Sequence, residues 1–280
     1  MYLAHWGLRH RPFRNAPDTR FFFHSATHDT ALAELLYAIE ESLGAALLVG
    51  AYGSGKTLVL RALLAGLSAG GKYRGGLLTN ALLSPAELVL AAARALGADD
   101  LPERAAEVSE SYAQDRLEGR LEALSAAGKR AVLAVDDAQE LEGTATWQAL
   151  RLMLSVGRDD RPGLTLLLAG APELVGRVEA APGLSERVAL RVSLAPLGEG
   201  EALDYILHRL ACAGARSGIF TRQAAERVAR ESGRLPGRIN RLADLSLAAA
   251  YGLGLRVVGP EVVEMAARDS AARGADGRPI

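Results

Sequence analysis

The sequence has very few of the residues that build disulfides and metal sites. Cys212 is the single cysteine among 280 residues, which excludes a disulfide within the chain and suits a reducing compartment such as the cytoplasm. It lies on an apolar helical stretch, where we expect a buried and inert thiol. Of the five histidines, His24 and His28 have the H-x-x-x-H spacing, but this pair supplies only two ligands and no cysteine lies near it in the sequence. We therefore expect no metal ion held by protein ligands alone.

The chain also lacks long apolar runs and an excess of charge. No apolar run reaches the roughly 18 residues that a membrane span needs. The N-terminus carries Arg9, Arg11 and Arg14 but no apolar segment of the kind found in signal peptides. The formal net charge is −1, so no overall field attracts nucleic acid or a membrane surface. These absences predict a cytoplasmic protein.

Lysine is scarce as well, and one lysine stands in an informative place. Lys56, Lys72 and Lys129 are the lysines among thirty-two basic residues. Arginine serves nearly everywhere else, so a lysine at a position that needs a compact ammonium group carries information. The stretch around it fits the phosphate-binding loop G-x-x-x-x-G-K-[ST] at every specified position. It reads Gly50-Ala51-Tyr52-Gly53-Ser54-Gly55-Lys56-Thr57.

The residues on both sides of this loop support the same interpretation. Residues 45–49 form an apolar run typical of a buried strand, and residues 57–67 have helical character. In such a loop the glycines turn backbone N–H groups toward phosphate oxygens at the positive end of the helix. Lys56 would reach the β- and γ-phosphates, and the Thr57 hydroxyl would bind Mg²⁺. Residues 50–57 and Leu58 are thus predicted to bind ATP rather than to form a chance glycine-rich turn.

The remaining pattern predicts an α/β domain followed by a helical domain. Short apolar runs alternate with helical stretches up to about residue 195, which indicates a three-layer parallel sheet covered by helices. We assign residues 1–195 to this domain, with 1–26 as an extended N-terminal flap that packs on a neighbouring domain, 196–268 to a helical lid and 269–280 to a flexible tail. The predicted strands are 45–49, 73–79, 131–135, 164–169 and 190–194. The predicted helices are 27–41, 57–67, 84–96, 102–127, 144–156, 184–189, 199–213, 221–232, 236–251 and 260–268.

Two acids follow the strand predicted at 131–135. Asp136 occupies the position of a Walker B carboxylate, which holds Mg²⁺ or its water at the end of a strand next to the phosphate loop. Asp137 occupies the place where many such ATPases have a glutamate that polarises the attacking water. A helix N-terminus would also attract two acids. Together with the phosphate loop, the pair favours a hydrolytic site.

Arginines supply further candidates. Arg187 and Arg191, around the last predicted strand, could stabilise the γ-phosphate of a neighbouring subunit. In the predicted lid, Pro236 and Arg238 could contact the nucleotide, with Arg241 nearby, although each arginine also fits a solvated surface. Residues 209–241 contain eight arginines against two glutamates. Such an excess could face nucleic acid, anionic lipid or an acidic partner, but a plain solvated face is favoured.

Short segments distributed over about residues 1–255 match the sequence pattern of one protein family. They are Met1-Tyr2-Leu3, Gly7-Leu8, Pro12-Phe13, Pro17-Asp18, Leu36-Tyr37, Asp136 with Ala138-Gln139, Ala169-Gly170, Pro172-Glu173-Leu174, Arg187 with Arg191, Tyr205-Ile206, Arg209-Leu210, Ala213-Gly214, Phe220-Thr221 and Ile239-Asn240-Arg241-Leu242. Through them the sequence resembles the ExeA/GspA-type AAA+ ATPases of the general (type II) secretion pathway. The resemblance implies the AAA+ P-loop NTPase fold with a small helical lid. It also implies Mg²⁺-dependent ATP hydrolysis coupled to assembly of a secretion or pilus complex. Self-association on ATP binding and a membrane-bound partner at the inner membrane are further implications.

The departures from that family shape the functional expectation. The family's catalytic glutamate is Asp137 here, the polar sensor-1 residue is Ala171, and the lid's Pro-Arg reads Pro236-Gly237 with Arg238 one place later. Larger members continue into a membrane span and a peptidoglycan-binding module, which these 280 residues do not include. A shortened carboxylate and a missing sensor predict tight ATP binding and slow turnover. Three hypotheses stay open: a secretion ATPase, a DNA-associated ATPase resembling transposition helper proteins, and a slow nucleotide-dependent switch.

Overall fold

The computed structural model describes residues 2–80, 82–99, 101–102, 108–158, 161–216 and 218–275. Contacts divide the chain into two compact units. The first, which we call the α/β unit, comprises His28–Ala51 and Lys56–Leu194. The second, the helical unit, comprises Met1–Thr27, Tyr52–Gly55 and Ala195–Ile280.

The α/β unit is built on a five-stranded parallel sheet with the strand order β2-β3-β6-β1-β7. Its strands are β1 (Ala45–Gly50), β2 (Tyr73–Leu78), β3 (Arg130–Val135), β6 (Leu164–Gly170) and β7 (Val188–Leu194). The three central strands are buried almost throughout, because helices cover both faces of the sheet at its centre. Their apolar runs therefore predicted both the strands and the parallel sheet, which the structure confirms.

Within the described residues, six α-helices accompany this sheet. They are α2 (Ala26–Glu40), α3 (Lys56–Ala69), α4 (Pro85–Ala95), α5 (Glu110–Ala126), α6 (Thr144–Met153) and α7 (Glu173–Glu179). α4 begins at a capping box in which the Ser84 side chain accepts from the Glu87 N–H and the Glu87 carboxylate accepts from the Ser84 N–H. The core of the unit includes Leu47, Leu88, and Trp147, which is 8% exposed. Burial of each large side chain stabilises the unit by about 1.5–3 kcal/mol.

The structure corrects several predicted boundaries in this unit. The helix predicted over 102–127 is α5, which begins at Glu110 with Ser109 as its N-cap, and residues 103–107 lie outside the described part of the chain. The helix predicted to end at 156 ends at Met153, and a small antiparallel ladder of β4 (Gly157–Arg158) and β5 (Arg161–Pro162) follows. Strands of two residues are too short to produce a periodic pattern. The helix predicted at 184–189 is a 3₁₀ turn over Ser185–Arg187.

The helical unit contains α1 (Tyr2–Trp6), α8 (Glu199–Cys212), α9 (Arg222–Glu231), α10 (Pro236–Gly252) and α11 (Pro260–Ala275). The N-terminal segment belongs to this unit's core, whereas the sequence placed it with the α/β domain as an extended flap. Trp6, Phe13 and Phe21 are 6%, 2% and 6% exposed, and Phe13 packs edge-on against Phe220 with ring centroids 6.0 Å apart. Aromatic burial of this kind fixes the segment to the helices rather than leaving it extended over a surface.

Two further predictions need correction. α11 continues to Ala275, beyond the predicted end at 268, because the alanines and arginine of that stretch are strong helix formers. Cys212 is half-buried rather than buried, with its Sγ 3.5 Å from His208 Nε2. Among the described residues, no helix combines the length and the apolarity that crossing a membrane requires.

Candidate nucleotide-binding site

The phosphate-loop sequence forms the connection between β1, which ends at Gly50, and α3, which begins at Lys56. Gly53 and Gly55 have φ angles of +78° and +105°, which residues with a Cβ rarely adopt. The loop therefore needs glycine at these two positions to turn its backbone. The N–H groups at the start of α3 lack partners within the helix and form a site that favours anions.

Lys56 is held at the mouth of this loop. Its side chain is buried, and Nζ donates hydrogen bonds to the carbonyl oxygens of Gly50 at 2.9 Å and Ala51 at 3.2 Å. Burial lowers the pKa of Lys56, and the nearby carboxylates of Asp137, Asp136 and Glu173 act in the opposite direction. These two acceptors are thus backbone carbonyl groups of the loop itself.

Thr57 and Asp136 are in contact within the α/β unit. Asp136 follows β3 directly, and its N–H donates to the Leu78 carbonyl at 2.8 Å. This bond fixes the residue at the carboxyl end of the strand. The Thr57 hydroxyl donates to Asp136 Oδ2 at 2.5 Å. Burial raises the pKa of Asp136, partly offset by the bond from Thr57. The structure thus confines a hydroxyl and a carboxylate to one small volume.

The second oxygen of Asp136 tests whether a magnesium ion fits here. Asp136 is 4% exposed, and its Oδ1 has no hydrogen-bond partner among the described residues. A buried oxygen without a partner is costly, and hard divalent cations prefer hydroxyl and carboxylate oxygens as ligands. Thr57 and Asp136 therefore fit the Mg²⁺ that the family implies.

Asp137 has an unusual backbone conformation. Its φ of 49° and ψ of 40° are left-handed, a conformation that aspartate tolerates better than most residues, and its side chain is exposed. Gln139 Nε2 donates to Asp137 Oδ1 at 3.3 Å. The carboxylate is thus oriented by a neighbour instead of being packed in the core.

Gln139 also contacts the end of β6. Its side chain is buried, and its Oε1 accepts a hydrogen bond from the Ala171 N–H at 3.0 Å. A Cβ on Gly170 would lie 2.4 Å from the same Oε1, so any larger residue there would displace the Gln139 amide. Gln139 therefore joins the loop after β3 to the end of β6. It was not among the predicted site residues; the signal was its position two residues after Asp137.

The two arginines near β7 differ in their surroundings. Arg187 is half-buried, and its Nη1 donates to the Leu154 carbonyl at 2.9 Å. Arg191 lies on β7, an edge strand, and forms an ion pair of 2.9 Å with Glu179, with both side chains about half exposed. An exposed pair of this kind adds little stability, so Arg191 can readily exchange its partner.

Within the helical unit, the tip of the phosphate loop contacts the start of α10. The Gly237 N–H donates to the Gly53 carbonyl at 2.8 Å. A Cβ on Gly237 would lie 2.8 Å from Gly53 Cα, a distance that no side chain tolerates. This close approach explains why glycine follows Pro236 where the resemblance led us to expect arginine. Arg238, one residue later, is exposed.

Two asparagines that sequence reasoning missed as site residues support this contact. Asn15 donates from Nδ2 to the Gly237 carbonyl at 3.1 Å, and Asn240 donates to Asn15 Oδ1 at 2.8 Å. The Tyr205 hydroxyl donates to Asn240 Oδ1 at 3.0 Å. The start of α10 is therefore held by side chains from the N-terminal segment and α8. These pairs are separated by more than 30 residues in sequence, so only the fold reveals them.

The fold and this site define the class of the protein. A family model described as "AAA domain" matches residues 39–178, and the chain belongs to that family. The chain is similar to Cdc6p from Pyrobaculum aerophilum, with a TM-score of 0.73, 19% identity, and coverage of 92% of this chain and 70% of that one. It is also similar to the RuvB Holliday junction branch migration motor of Thermotoga maritima, with a TM-score of 0.55, 17% identity, and coverage of 85% and 67%. At such identities the two structures show the AAA+ P-loop fold alone.

The sequence comparison is more particular. The chain is 32% identical over 256 residues to General secretion pathway protein A of Aeromonas hydrophila. The match covers 91% of this chain and 46% of that protein, so this chain spans about half the relative's length. The chain therefore carries an AAA domain of the general secretion pathway protein A type.

Lys56 generates the first testable prediction. Replacement of Lys56 by alanine should weaken ATP binding by about 10²-fold or more, because hydrogen bonds from a charged group contribute about 1.5–3 kcal/mol each. Isothermal calorimetry with ATP and Mg²⁺ measures the affinity, and circular dichroism checks the fold. Lys129→Ala removes an exposed lysine as the matched control. Equal ATP affinities in Lys56→Ala and the parent would contradict the assignment of the loop.

Proposed function

We propose that this protein binds ATP with Mg²⁺ and hydrolyses it. The observation that carries the proposal is the bond between Thr57 and Asp136 beside a carboxylate oxygen that has no partner among the described residues. These oxygens lie next to the residue that starts α3, where the helix N-terminus favours phosphate. Membership of the AAA domain family supports the same chemistry.

Each residue of the loop has a proposed task. The backbone of Gly50, Ala51, Tyr52, Gly53, Ser54, Gly55 and Leu58 surrounds the phosphates, with the glycines allowing close approach. Lys56 exchanges its bonds with the carbonyl groups of Gly50 and Ala51 for bonds with phosphate oxygens. Thr57 and Asp136 hold Mg²⁺, which neutralises phosphate charge when bound.

Asp137 is the proposed general base, and Gln139 is its positioning residue. The exposed carboxylate of Asp137 can accept a proton from the attacking water. Gln139 holds this carboxylate in place while its other end is fixed by the Ala171 N–H. The side chain of Ala171 offers no hydrogen bond to phosphate.

Turnover is proposed to be slow. The aspartate side chain is one methylene shorter than glutamate, and a misplacement of about 1 Å costs on the order of 10²-fold in rate. Such a protein would remain in its ATP-bound state for long periods. This behaviour suits a switch or scaffold better than a fast motor.

Self-association on ATP binding is also proposed. Arg191 would then be the finger arginine, which one subunit contributes to the nucleotide site of its neighbour. Arg191 lies on an edge strand, is half exposed, and is paired with a carboxylate that is itself half exposed. Arg187 is anchored to the Leu154 carbonyl and is better suited to hold that edge in place. In the helical unit, exposed Arg238 follows the residue that contacts Gly53, and this supports the proposal that Arg238 binds phosphates at the loop tip.

The pathway proposal rests on the relative named above. We propose that this AAA domain drives or regulates assembly of a secretion or pilus complex, in the cytoplasm, with a membrane-bound partner. The 32% identity to General secretion pathway protein A supports it. Since the chain covers only 46% of that relative, the partner and the role are proposals for this chain.

A DNA-associated ATPase is the second candidate. The fold is similar to the ORC1 protein of Aeropyrum pernix in complex with DNA, with a TM-score of 0.72, 19% identity, and coverage of 94% of this chain and 69% of that one. The arginine excess in 209–241 gives this candidate less support than the sequence alone did. Several of those arginines are engaged within the protein, as Arg209 is buried and Arg222, Arg227 and Arg234 form ion pairs. Fluorescence anisotropy with duplex DNA at two salt concentrations separates the candidates.

Asp137 is the sharpest test of slow turnover. Asp137→Glu should raise kcat by up to about 10²-fold and leave ATP affinity nearly unchanged, because the longer side chain brings the carboxylate closer to the water. Asp137→Asn should abolish turnover, and Glu142→Asp, at an exposed site in the same connection, is the matched control. Steady-state phosphate release measures the rates. A parent that turns over quickly, together with a slower Asp137→Glu variant, would overturn the proposal.

The role of Gln139 is tested by separating the hydrogen bond that it accepts from the Ala171 N–H from the one that it donates to Asp137. Gln139→Glu keeps an acceptor for the Ala171 N–H but removes the donor to Asp137, whereas Gln139→Met removes both at similar volume. Both variants should lower kcat, by about tenfold or more, while ATP affinity measured by calorimetry stays close to that of the parent. A merely structural role would instead lower the melting temperature and leave kcat per folded molecule unchanged.

The finger arginine is tested by mixing subunits. Arg191→Ala subunits keep an intact loop, and Lys56→Ala subunits keep Arg191. Each variant alone should be nearly inactive, since finger arginines contribute about 10³–10⁵ in rate. A mixture of the two should regain part of the parent rate, in proportion to the mixed interfaces formed. No recovery on mixing, or a specific activity that is independent of protein concentration, would indicate a monomeric enzyme.

A further inference from the structure

A cavity of about 270 Å³ lies within the helical unit, lined by the N-terminal segment and α8. Its wall has an unusual composition, with five arginines against one acidic residue. They are Arg9, Arg11, Arg14, Arg20, Arg209 and Asp18. None of residues 50–57 lines the cavity, so it is distinct from the phosphate loop.

Arg209 is the buried arginine of this wall. It is 3% exposed, and its guanidinium lies over the Phe21 ring at 4.6 Å from the centroid. It donates to the carbonyl oxygens of Pro12 at 2.6 Å and Arg14 at 2.9 Å and to the Tyr205 hydroxyl at 3.1 Å. All these acceptors are neutral, and Arg209 forms no ion pair within the part of the chain that the structure describes. The positive charge is therefore fixed in position without a bonded anion to balance it.

Asp18 does not provide that balance. Its carboxylate is already bound by Arg20, with Nη2 2.7 Å from Oδ2 and Nε 3.1 Å from Oδ1. The hydrogen bond from Arg20 lowers the pKa of Asp18, and Arg209 contributes at longer range. Arg9, Arg11 and Arg14 are exposed and form no ion pair among the described residues. The cavity is thus surrounded by several positive charges that lack close acidic partners.

We propose that this cavity binds the phosphate group of a small phosphorylated ligand. Guanidinium groups present N–H donors in a planar fork that matches phosphate oxygens, and bonds of this kind are strong because both partners are charged. A bound phosphate would also balance the buried charge of Arg209, which is otherwise costly. The concave shape and the volume suit pyrophosphate or a phosphomonoester better than a nucleic-acid backbone.

The experiment uses inorganic pyrophosphate as the probe, in magnesium-free and nucleotide-free buffer. The full chain carrying Lys56→Ala is titrated by calorimetry beside the parent, so that binding at the phosphate loop is separated from binding at the cavity. We expect saturable binding that persists in Lys56→Ala. This outcome is independent of whether the protein hydrolyses ATP.

Variants then locate the binding. Arg11→Gln and Arg14→Gln, combined in the Lys56→Ala chain, should weaken pyrophosphate binding by about 10²-fold, or about tenfold for each arginine. Both side chains are exposed, so the fold should be retained, whereas Arg209 is left intact because its bonds hold the N-terminal segment. Arg222→Gln, which removes an exposed arginine of α9, is the matched control and should bind like its parent.

The source of the phosphate is distinguished by vesicles. Sedimentation with phosphatidylglycerol vesicles, against phosphatidylcholine vesicles, tests a lipid headgroup. If the vesicles capture the protein and pyrophosphate displaces it from them, the site is supported with a lipid headgroup as the source of the phosphate. If pyrophosphate binds but the vesicles do not capture the protein, the site is supported with a soluble ligand. The proposal is overturned if pyrophosphate does not bind Lys56→Ala, or binds the double variant and the Arg222→Gln control equally. Binding of vesicles or duplex DNA that pyrophosphate does not displace also overturns it, since this would reveal a diffuse charged surface.

Discussion

The hydrogen bond between Thr57 and Asp136 is the contact on which the candidate site depends. It forms because β1 and β3 are both parallel neighbours of β6, which brings the start of α3 and the end of β3 to the same edge of the sheet. A parallel sheet that placed β1 and β3 at opposite edges would separate the hydroxyl from the carboxylate. The apolar strands thus create the chemistry indirectly, by fixing the order in which their polar ends meet.

In the helical unit, a close contact between two glycine backbones restricts the structure in a similar way. The approach of Gly237 to Gly53 leaves no space for a Cβ, and Asn15 and Asn240 hold the residues around it. Packing in this structure therefore requires the glycine at position 237. At Gly170, a Cβ would instead meet the amide oxygen of the Gln139 side chain, which would have to move.

The sequence predicted those features that depend on local pattern. The buried strands, the fold class and the capping box at Ser84 follow from apolar runs and from residue types at fixed spacing. It did not predict that the segment around Phe13 joins the core of the helical unit, or that Gln139 reaches Ala171. Those contacts join residues far apart in the chain, and no periodicity records them. The ion pair between Asp18 and Arg20 is local in sequence, but only the fold shows that both residues line a cavity.

The chain contains two tryptophans, and the fold places one in each unit. Trp6 lies in the core of the helical unit and Trp147 in that of the α/β unit, each less than one tenth exposed. Intrinsic fluorescence therefore contains one signal from each unit, and replacing either ring with phenylalanine isolates the other. A Trp147→Phe protein would report on the helical unit alone, and a Trp6→Phe protein on the α/β unit alone. The molecule thus carries its own pair of optical probes, with which the cooperativity of the two units can be followed without any added dye.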